Sequence, residues 1–356
     1  MKRWMAAVAA VLAGALGVTW ATGAAAPRQA RAADAAGWTR AFQSPSSGAF
    51  FSIAAVSKSN VWAVGDEFTR GGSTIYKPFI RHFNGRAWTP LTIPGAVMTS
   101  ERVQATSGGD VWVFGLTKNP GHVAASAAYR WGGGHWHKIP VPADTYLQGT
   151  VVLGPSSVWA FGSSGTMDGD VFHWNGRTWK SYNLSFFPQD MSASSGSNLW
   201  VTGMTWINKK TEVGKAYRWN GSRWLGVATP HPVVNVGPSV RALSPSNVWI
   251  GWQTPAKIQA AHWTGHAWTV LTAPDTVEAD SFEIVPDGRG GYWFGPFADW
   301  TGKTWISAVS VTPGYSGGGF NGIVRIPGTS TFLMPAGIAN TASSVEHPTI
   351  YRLTLG

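Results

Sequence analysis

The stretch "VFHWNGRTWKSY" (Val171–Tyr182) places two tryptophans around an Asn-Gly pair, and versions of this phrase recur along the chain. The other five copies are "IRHFNGRAW" ending at Trp88, "AYRWGGGHW" at Trp136, "AYRWNGSRW" at Trp224, "AAHWTGHAW" at Trp268 and "FADWTGKTW" at Trp305. A phrase that repeats at a regular interval indicates a repeat architecture before it indicates a binding site.

A second phrase, of the type "SNVWAVG", precedes each copy of the first. Its tryptophans are 50, 47, 41, 49 and 44 residues apart, at Trp62, Trp112, Trp159, Trp200, Trp249 and Trp293. Within a repeat, short alternating β-rich runs lie between turn signals, without helical periodicity. The first repeat contains four such runs, which we label strands a to d: "SIAAVS", "VWAVG", "FIRHF" and "AWTPL". Asn84-Gly85, between strands c and d, predicts a two-residue type I′ turn with positive φ at both residues.

The last repeat and the first residues of the repeat region are incomplete in complementary ways. "TFLMPAG" and "PTIYRLTLG" supply strands after Trp305 but no closing tryptophan, whereas "AAGWTRAFQSP" brings Trp38, 50 residues before Trp88. We therefore predict an all-β fold, a seven-bladed β-propeller of four-stranded antiparallel blades. The seventh blade combines residues from about 320–356 with about 37–44, so that the N-terminal strand closes the ring and hides the sheet edges.

The N-terminal residues predict export. Lys2 and Arg3 precede an apolar run that extends from Trp4 to about Val18, and "ARA" (Ala30–Ala32) provides a small-x-small cleavage site. This pattern predicts a signal peptide at 1–32 and a secreted single domain at 33–356, with no membrane span after cleavage. An uncleaved anchor is the alternative.

Composition excludes several classes of function. Removal of residues 1–32 takes away four basic residues and no acidic ones, so the formal net charge falls from +10 to +6. The remaining basic residues are dispersed, whereas a nucleic-acid-binding protein concentrates them. The absence of cysteine excludes disulfides, thiolate metal sites and cysteine nucleophiles. We expect no cofactor, no nucleic-acid partner and a monomer.

The repeat resembles the kelch-type propeller repeat, because "VWAVG" is followed by an aromatic residue before a tight turn and then by a Trp and a Pro. It differs in having a single Gly where kelch repeats have a Gly-Gly doublet. It is also similar to secreted bacterial propellers built on "VWAVG" and "HWNG" units. The resemblance covers Trp38 to Gly356. It implies architecture and leaves activity open, because propellers carry many functions.

Strand a lines the central channel of a propeller, so its alternation selects the side chains that point inward. The residues eight positions before each b-strand tryptophan are Ala54, Gln104, Val151, Ser192 and Arg241, to which we add Glu283 if the sixth repeat contains one extra residue. Those two positions further back are Ser52, Arg102, Gly149, Asp190 and Ser239. One interpretation is a water-filled channel with paired charges. The other is a polar ligand site formed by Arg102, Gln104, Asp190, Arg241 and Glu283.

Two further sets of residues are candidates for binding. The repeat accounts for all tryptophans after residue 32 except Trp206 and Trp252, which we place in the b–c loops of adjacent blades, either packed under the loop or presented to a ligand. The tight c–d turns carry one basic residue each, which contacts either solvent or an anionic polymer: Arg86, His135, Arg177, Arg223, His266 and Lys303.

Three functions follow from these candidates. The first is a secreted, non-catalytic binding propeller that recognises a glycan or cell-surface polymer through its b–c and d–a loops. The second is an extracellular protein–protein interaction scaffold. The third is a glycan-cleaving enzyme, for which Asp190 and Glu283 are the available carboxylate pair. We assign no catalytic residue. We also assign no metal ligand, since His82, His173 and His262 recur at one repeat position and therefore lie on separate blades.

Overall fold

The computed structural model describes residues 37–69, 74–117, 125–143, 145–163, 169–208, 211–230, 238–253, 258–273, 283–294, 298–307, 322–340 and 345–355. These residues all belong to one unit, Ala35–Gly356. The predicted signal peptide lies outside them. Within these ranges every regular element is a β-strand. No helix long and apolar enough to cross a membrane occurs in them.

In the described residues, twenty-eight strands form seven four-stranded sheets in which every neighbouring pair is antiparallel, as predicted for the repeats. Sheet 1 contains β2 (Gly48–Ser57), β3 (Asn60–Phe68), β4 (Thr74–Phe83) and β5 (Trp88–Leu91). Sheet 2 contains β6 (Arg102–Ala105), β7 (Val111–Leu116), β8 (Ser126–Gly132) and β9 (His135–Ile139). Sheet 3 contains β10 (Tyr146–Gly154), β11 (Ser157–Ser163), β12 (Asp170–Trp174) and β13 (Trp179–Asn183).

The next two sheets follow the same order. Sheet 4 contains β14 (Phe187–Ser195), β15 (Asn198–Asn208), β16 (Thr211–Trp219) and β17 (Trp224–Val227). Sheet 5 contains β18 (Ser239–Ser244), β19 (Asn247–Gln253), β20 (Ile258–Trp263) and β21 (Trp268–Thr272). Sheet 6 consists of four three-residue strands: β22 (Ile284–Pro286), β23 (Tyr292–Phe294), β24 (Ala298–Trp300) and β25 (Trp305–Ser307).

Sheet 7 joins distant parts of the chain. It consists of β26 (Val324–Arg325), β27 (Thr331–Asn340), β28 (Val345–Thr354) and, beside β28, β1 (Thr39–Gln43). Arg40 lies opposite Tyr351. Trp38 is 3% exposed and packs in a cluster with Tyr351 and Met334.

The first strands of the sheets contact one another in a cyclic order. β2, β6, β10, β14, β18, β22 and β26 each contact the next, and β26 contacts β2. Because strand a of every sheet faces its counterparts, the side chains on its inner side converge on a common axis. Strands b, c and d follow outward in each sheet.

Tryptophans of the repeated phrases pack between neighbouring sheets. Trp159 of sheet 3 lies 5.3 Å from Trp219 and 5.7 Å from Trp224 of sheet 4, measured between ring centroids. In the opening stretch, Trp174 is buried in a cluster that includes Trp112 of sheet 2, and Trp179 Nε1 donates to the carbonyl oxygen of Pro140 (2.6 Å). The recurrent tryptophan pair is therefore a packing element, as the repeat predicts.

The predicted type I′ turn at Asn84-Gly85 is wrong. Phe83 pairs with Trp88, so the loop contains four residues, and only Gly85 has a positive φ (93°). The Asn84 side chain explains the difference, because its Oδ1 accepts hydrogen bonds from the backbone N–H groups of Arg86 and Ala87, both at 3.0 Å. In sheet 2 the corresponding turn has two residues, Gly133 and Gly134, and both have positive φ (61° and 81°).

An asparagine at the first position of strand b accepts hydrogen bonds from two side chains of its own sheet. In sheet 1, Asn60 Oδ1 accepts from Trp62 Nε1 (2.7 Å) and from His82 Nε2 (3.0 Å). The imidazole also stacks on the indole, with centroids 4.2 Å apart. Asn247 makes the same pair of bonds in sheet 5. The recurring histidines are therefore structural, each of them held within its own sheet.

Sheet 3 lacks this asparagine. Ser157 occupies the position, and the Nε1 of Trp159 and the Nε2 of His173 are buried without a hydrogen-bond partner among the residues that the structure describes. His173 still stacks on Trp159 at 4.1 Å. A buried unsatisfied polar group destabilises a fold by about 1–3 kcal/mol.

We expect Ser157→Asn to raise the free energy of unfolding by about 1–2 kcal/mol, because the longer side chain can accept from both donors. Thermal and denaturant unfolding measure the change. The reverse substitution in sheet 1, Asn60→Ser, is the matched comparison and should lower stability by a similar amount. An S157N protein that unfolds at or below the wild-type temperature would contradict this account.

Candidate functional site

The inner strands follow the predicted register. Gln104 lies opposite Trp112, Ser192 opposite Trp200, and Arg241 opposite Trp249. The offset of eight residues between an inward-facing position and the b-strand tryptophan is therefore confirmed. It places polar side chains from different sheets at the same height along the axis.

Glu283 does not lie at the predicted position, which is the one opposite the b-strand tryptophan. Val285, eight residues before Trp293, lies opposite it and is buried, so sheet 6 contains no extra residue. Glu283 is ten residues before Trp293, as Arg102 and Asp190 are before Trp112 and Trp200. Asp190, Glu283 and Arg102 therefore occupy equivalent positions in their repeats, two residues nearer the start of the repeat than Gln104 and Ser192.

One cavity of about 150 Å³, the axial cavity, brings together all five predicted channel residues. It is lined by Arg102, Gln104, Gly149, Thr150, Phe161, Asp190, Met191, Ser192, Val240, Arg241, Glu283 and Ile284. Most of these residues lie on the inner strands of sheets 2 to 6; Phe161 lies on β11, the second strand of sheet 3, and Glu283 precedes β22. Arg102 is the first residue of β6 and Glu283 directly precedes β22, so the cavity lies toward the face where the d–a loops enter the inner strands.

Three of the polar side chains connect neighbouring inner strands. Gln104 donates through Nε2 to the carbonyl oxygen of Thr150 and accepts from the N–H of Val152 (2.8 Å). Asp190 accepts from Val240 N–H in the next sheet (2.7 Å). Glu283 Oε2 accepts from Ile323 N–H (2.7 Å).

Two serines on the inner strands make equivalent connections. Val103 N–H donates to Ser52 Oγ (3.2 Å), and Ala242 N–H donates to Ser192 Oγ (2.9 Å). The polar residues of the channel thus hold adjacent sheets together, a role that neither sequence interpretation included.

The two arginines of the cavity make few hydrogen bonds to the described residues. Arg102 donates to the carbonyl oxygen of Gln148 through one Nη atom (2.7 Å). Arg241 is exposed, and it makes no hydrogen bond and no ion pair within 4 Å with another described residue. The described parts of the chain contain one ion pair at that distance, Arg130–Asp110, outside the cavity. Among the described residues, the opposite charges of the channel are therefore not joined by ion pairs within 4 Å.

Burial changes the acidity of both carboxyl groups. It raises the pKa of Asp190 to about 6, against the opposing effects of the Val240 and Met191 N–H groups and of the two arginines. Burial, together with the nearby Asp190 charge, raises the pKa of Glu283, while Ile323 N–H, Arg241 and Arg102 oppose that increase. The charge of the axial cavity therefore changes in mildly acidic solution.

Trp206 is exposed, as one of the two sequence interpretations requires. It lies near the tip of the β15–β16 hairpin, 48% exposed and next to Ile207, which is 60% exposed. Phe187, at the start of the inner strand, pairs with Met204. The hairpin therefore extends beyond the inner strand on the same face as the axial cavity.

Trp252 is buried, so its interpretation as a loop residue that contacts a ligand is wrong. It is 2% exposed, lies within β19 opposite Gln259, and belongs to the same cluster as Trp200. Because side chains alternate along a strand, Trp252 points to the same side as Val248 and Ile250, which belong to that cluster.

A second cavity, the sheet 1–2 groove, was missed by sequence reasoning. It has a volume of about 630 Å³ and its lining includes Pro90, Pro94, Trp131, Trp136 and Lys138. The repeat assigned both tryptophans to packing, and they do contact Trp62, at 5.8 and 6.0 Å between centroids. The signal that could have revealed the groove is the pair of prolines Pro90, in β5, and Pro94, just after it, together with the shortened Gly133-Gly134 turn.

Comparisons with known proteins identify the fold. No family model matches the chain, and no curated protein matches it. Among solved structures, YCF48 from Cyanidioschyzon merolae is 15% identical (TM-score 0.53) over 89% of this chain and 98% of its own. A GH74 xyloglucanase from Xanthomonas campestris is 12% identical (TM-score 0.51) over 81% and 51%. A PL25 ulvan lyase is 12% identical (TM-score 0.50) over 88% and 96%. At these identities the likeness concerns the fold alone, and the chain shares the β-propeller fold of its structural neighbours.

Proposed function

We propose that the seven sheets are the blades of a closed, seven-bladed, kelch-like propeller, and that the protein is secreted after loss of about residues 1–32. Two observations support the blade number. The inner strands contact one another in a cycle of seven, and β1 completes the fourth position of sheet 7. The pattern from Lys2 to Ala32 supports export.

The propeller, in this proposal, is a non-catalytic binding protein for a glycan or cell-surface polymer. The observation that carries the proposal is the convergence of polar side chains from five sheets on the axial cavity. Sugar recognition requires fixed donors and acceptors, and side chains bonded to neighbouring backbones are already fixed. The exposed Trp206 on the same face offers a flat surface against which a sugar ring can pack.

The hydrogen bonds that the two carboxylates make to the backbone favour glycan binding over glycan cleavage. A glycosidase pair needs one carboxylic acid and one carboxylate directed at the scissile bond. Here Asp190 accepts backbone hydrogen bonds through both oxygens, from Met191 (2.8 Å) and Val240 (2.7 Å). Glu283 is bonded to Ile323. These bonds orient the carboxylates toward the protein backbone.

A protein–protein interaction scaffold is the second candidate function. It is favoured by the adjacent exposure of Trp206 and Ile207 near a hairpin tip, because exposed aromatic residues commonly anchor protein interfaces. In that case the partner would contact the hairpin, and substitutions in the axial cavity would leave binding unchanged.

We expect Arg241→Gln to weaken glycan binding at least about ten-fold, since a charge-assisted hydrogen bond contributes about 1.5–3 kcal/mol. The protein lacking residues 1–32 would be screened on a glycan array, and the bound glycans would then be titrated with the variants. Lys138→Gln removes the same charge from the sheet 1–2 groove and is the matched control.

Two outcomes would contradict this assignment. Binding that is lost in K138Q and kept in R241Q would place the glycan in the groove. An array without any bound glycan would remove support for glycan recognition altogether.

A further inference from the structure

The hydrogen bonds that the cavity side chains already make indicate which class of glycan the axial cavity can bind. Each of these acceptor groups in the cavity already makes a hydrogen bond to the backbone: Asp190 receives one N–H on each oxygen, Glu283 receives one on Oε2, and the amide of Gln104 is bonded at both ends. These groups hold neighbouring inner strands together. The bonds take about two of the four lone pairs of Asp190 and about one of the four of Glu283, and they hold both carboxylates against the backbone.

The donors, in contrast, are largely unoccupied. A guanidinium has five N–H donors, of which Arg102 uses one and Arg241 none toward the described residues. Thr150, which lines the cavity, is 4% exposed, and its Oγ1 is buried without a partner in the described ranges. A ligand that matches this surplus of donors must be rich in acceptors.

We infer that the axial cavity binds an anionic sugar residue, one that carries a carboxylate or a sulfate group, with Arg241 and Arg102 as its donors. This inference rests on the proposed function. Carboxylates and sulfates are the acceptor-rich groups of natural glycans, and a guanidinium donates to either through two parallel N–H groups. The cavity of about 150 Å³ is smaller than the 300–1,000 Å³ of typical ligand pockets, so it takes one ring of a longer chain.

The charged groups around the cavity determine how binding should vary with pH. They are Arg102 on β6, Asp190 on β14, Arg241 on β18 and Glu283 before β22, with Glu101 next to Arg102. As pH falls through about 6, Asp190 takes up a proton and loses its negative charge. The cavity then becomes more positive, so an anionic ligand should bind more tightly at pH 5.5 than at pH 7.5.

The test uses matched probes on the protein lacking residues 1–32. Tetragalacturonic acid and its fully methyl-esterified form differ in charge and share a sugar skeleton, while dextran sulfate and dextran provide the sulfate arm. We expect at least a ten-fold lower Kd for one of the anionic forms than for its neutral counterpart. Arg241→Gln should abolish that preference, and Lys138→Gln should preserve it. Because both variants lose one positive charge, nonspecific attraction to the basic protein would change equally in both.

The outcomes separate this inference from the function on which it depends. Equal binding of charged and neutral probes, or binding of neutral array glycans alone, would overturn the anionic ligand and leave glycan recognition standing. A preference that survives R241Q would overturn the assigned cavity. No binding to these probes or to any array glycan would overturn both.

Discussion

A chain that begins at Pro45 should unfold at least about 10 °C below a chain that begins at Gly37, because it lacks β1. Loss of Trp38 alone, buried in the cluster of sheet 7, removes about 3–5 kcal/mol of packing. Phe42 is lost as well, and its ring lies 5.7 Å from that of Trp88, so β1 also packs against sheet 1. Removal of β1 therefore weakens both sheet 7 and its contact with the first sheet.

The exposed edge adds a second effect. Without β1, the backbone groups of β28 that pair with Thr39, Arg40, Phe42 and Gln43 face solvent. Unpaired strand edges template association with other chains. We therefore expect the shorter chain to form concentration-dependent oligomers in size-exclusion chromatography. Equal melting temperatures for the two chains would show that β1 contributes little to the fold and would argue against closure of a ring through this strand.

The sheets were predictable from the sequence because each repeat carries its own strand signals. Strand alternation, the recurring Trp and the Asn-Gly turns are local patterns, and they predicted four antiparallel strands around positions such as Trp62 and His82. The type of the c–d turn was not predictable from the Asn-Gly pair alone. There the side chain of Asn84 competes with the two-residue turn by accepting hydrogen bonds from the N–H groups of Arg86 and Ala87.

The candidate site could be predicted only in part. Alternation along strand a identified Arg102, Gln104, Asp190, Arg241 and Glu283 as facing the axis. It did not show which of them are already bonded, because the partners lie in the next repeat: Val240 is 50 residues after Asp190. The contacts between packed inner strands, which the sequence does not reveal, show that the two carboxylates are hydrogen-bonded and that Arg241 makes no hydrogen bond to a described residue.

The loop boundaries were the least predictable feature, and this explains the contrast between Trp206 and Trp252. Both residues follow a repeat phrase, and neither is required by it. β19 extends to Gln253 and keeps Trp252 in the alternation of the core, whereas β15 extends to Asn208 and carries Trp206 beyond the inner strand. The lengths of these strands depend on pairing with β20 and β16, whose N-terminal residues carry no repeat signal.

Trp252→Ala should lower the free energy of unfolding by about 3–5 kcal/mol, because it leaves a large void next to Trp200 and Val240 in a fully packed cluster. The melting temperature should fall by at least about 6 °C. Trp206→Ala removes the same atoms from an exposed position and should shift the melting temperature by no more than about 1 °C.

The same pair of variants distinguishes a packing residue from a ligand contact. At a temperature where W252A remains folded, glycan binding by that variant should match the wild type, since Trp252 does not reach the surface. W206A, in contrast, should bind a glycan or a protein partner several-fold more weakly if the hairpin contacts it. Equal stability of the two variants would show that Trp252 is not part of the core and would return it to the loop face, where the sequence had placed it.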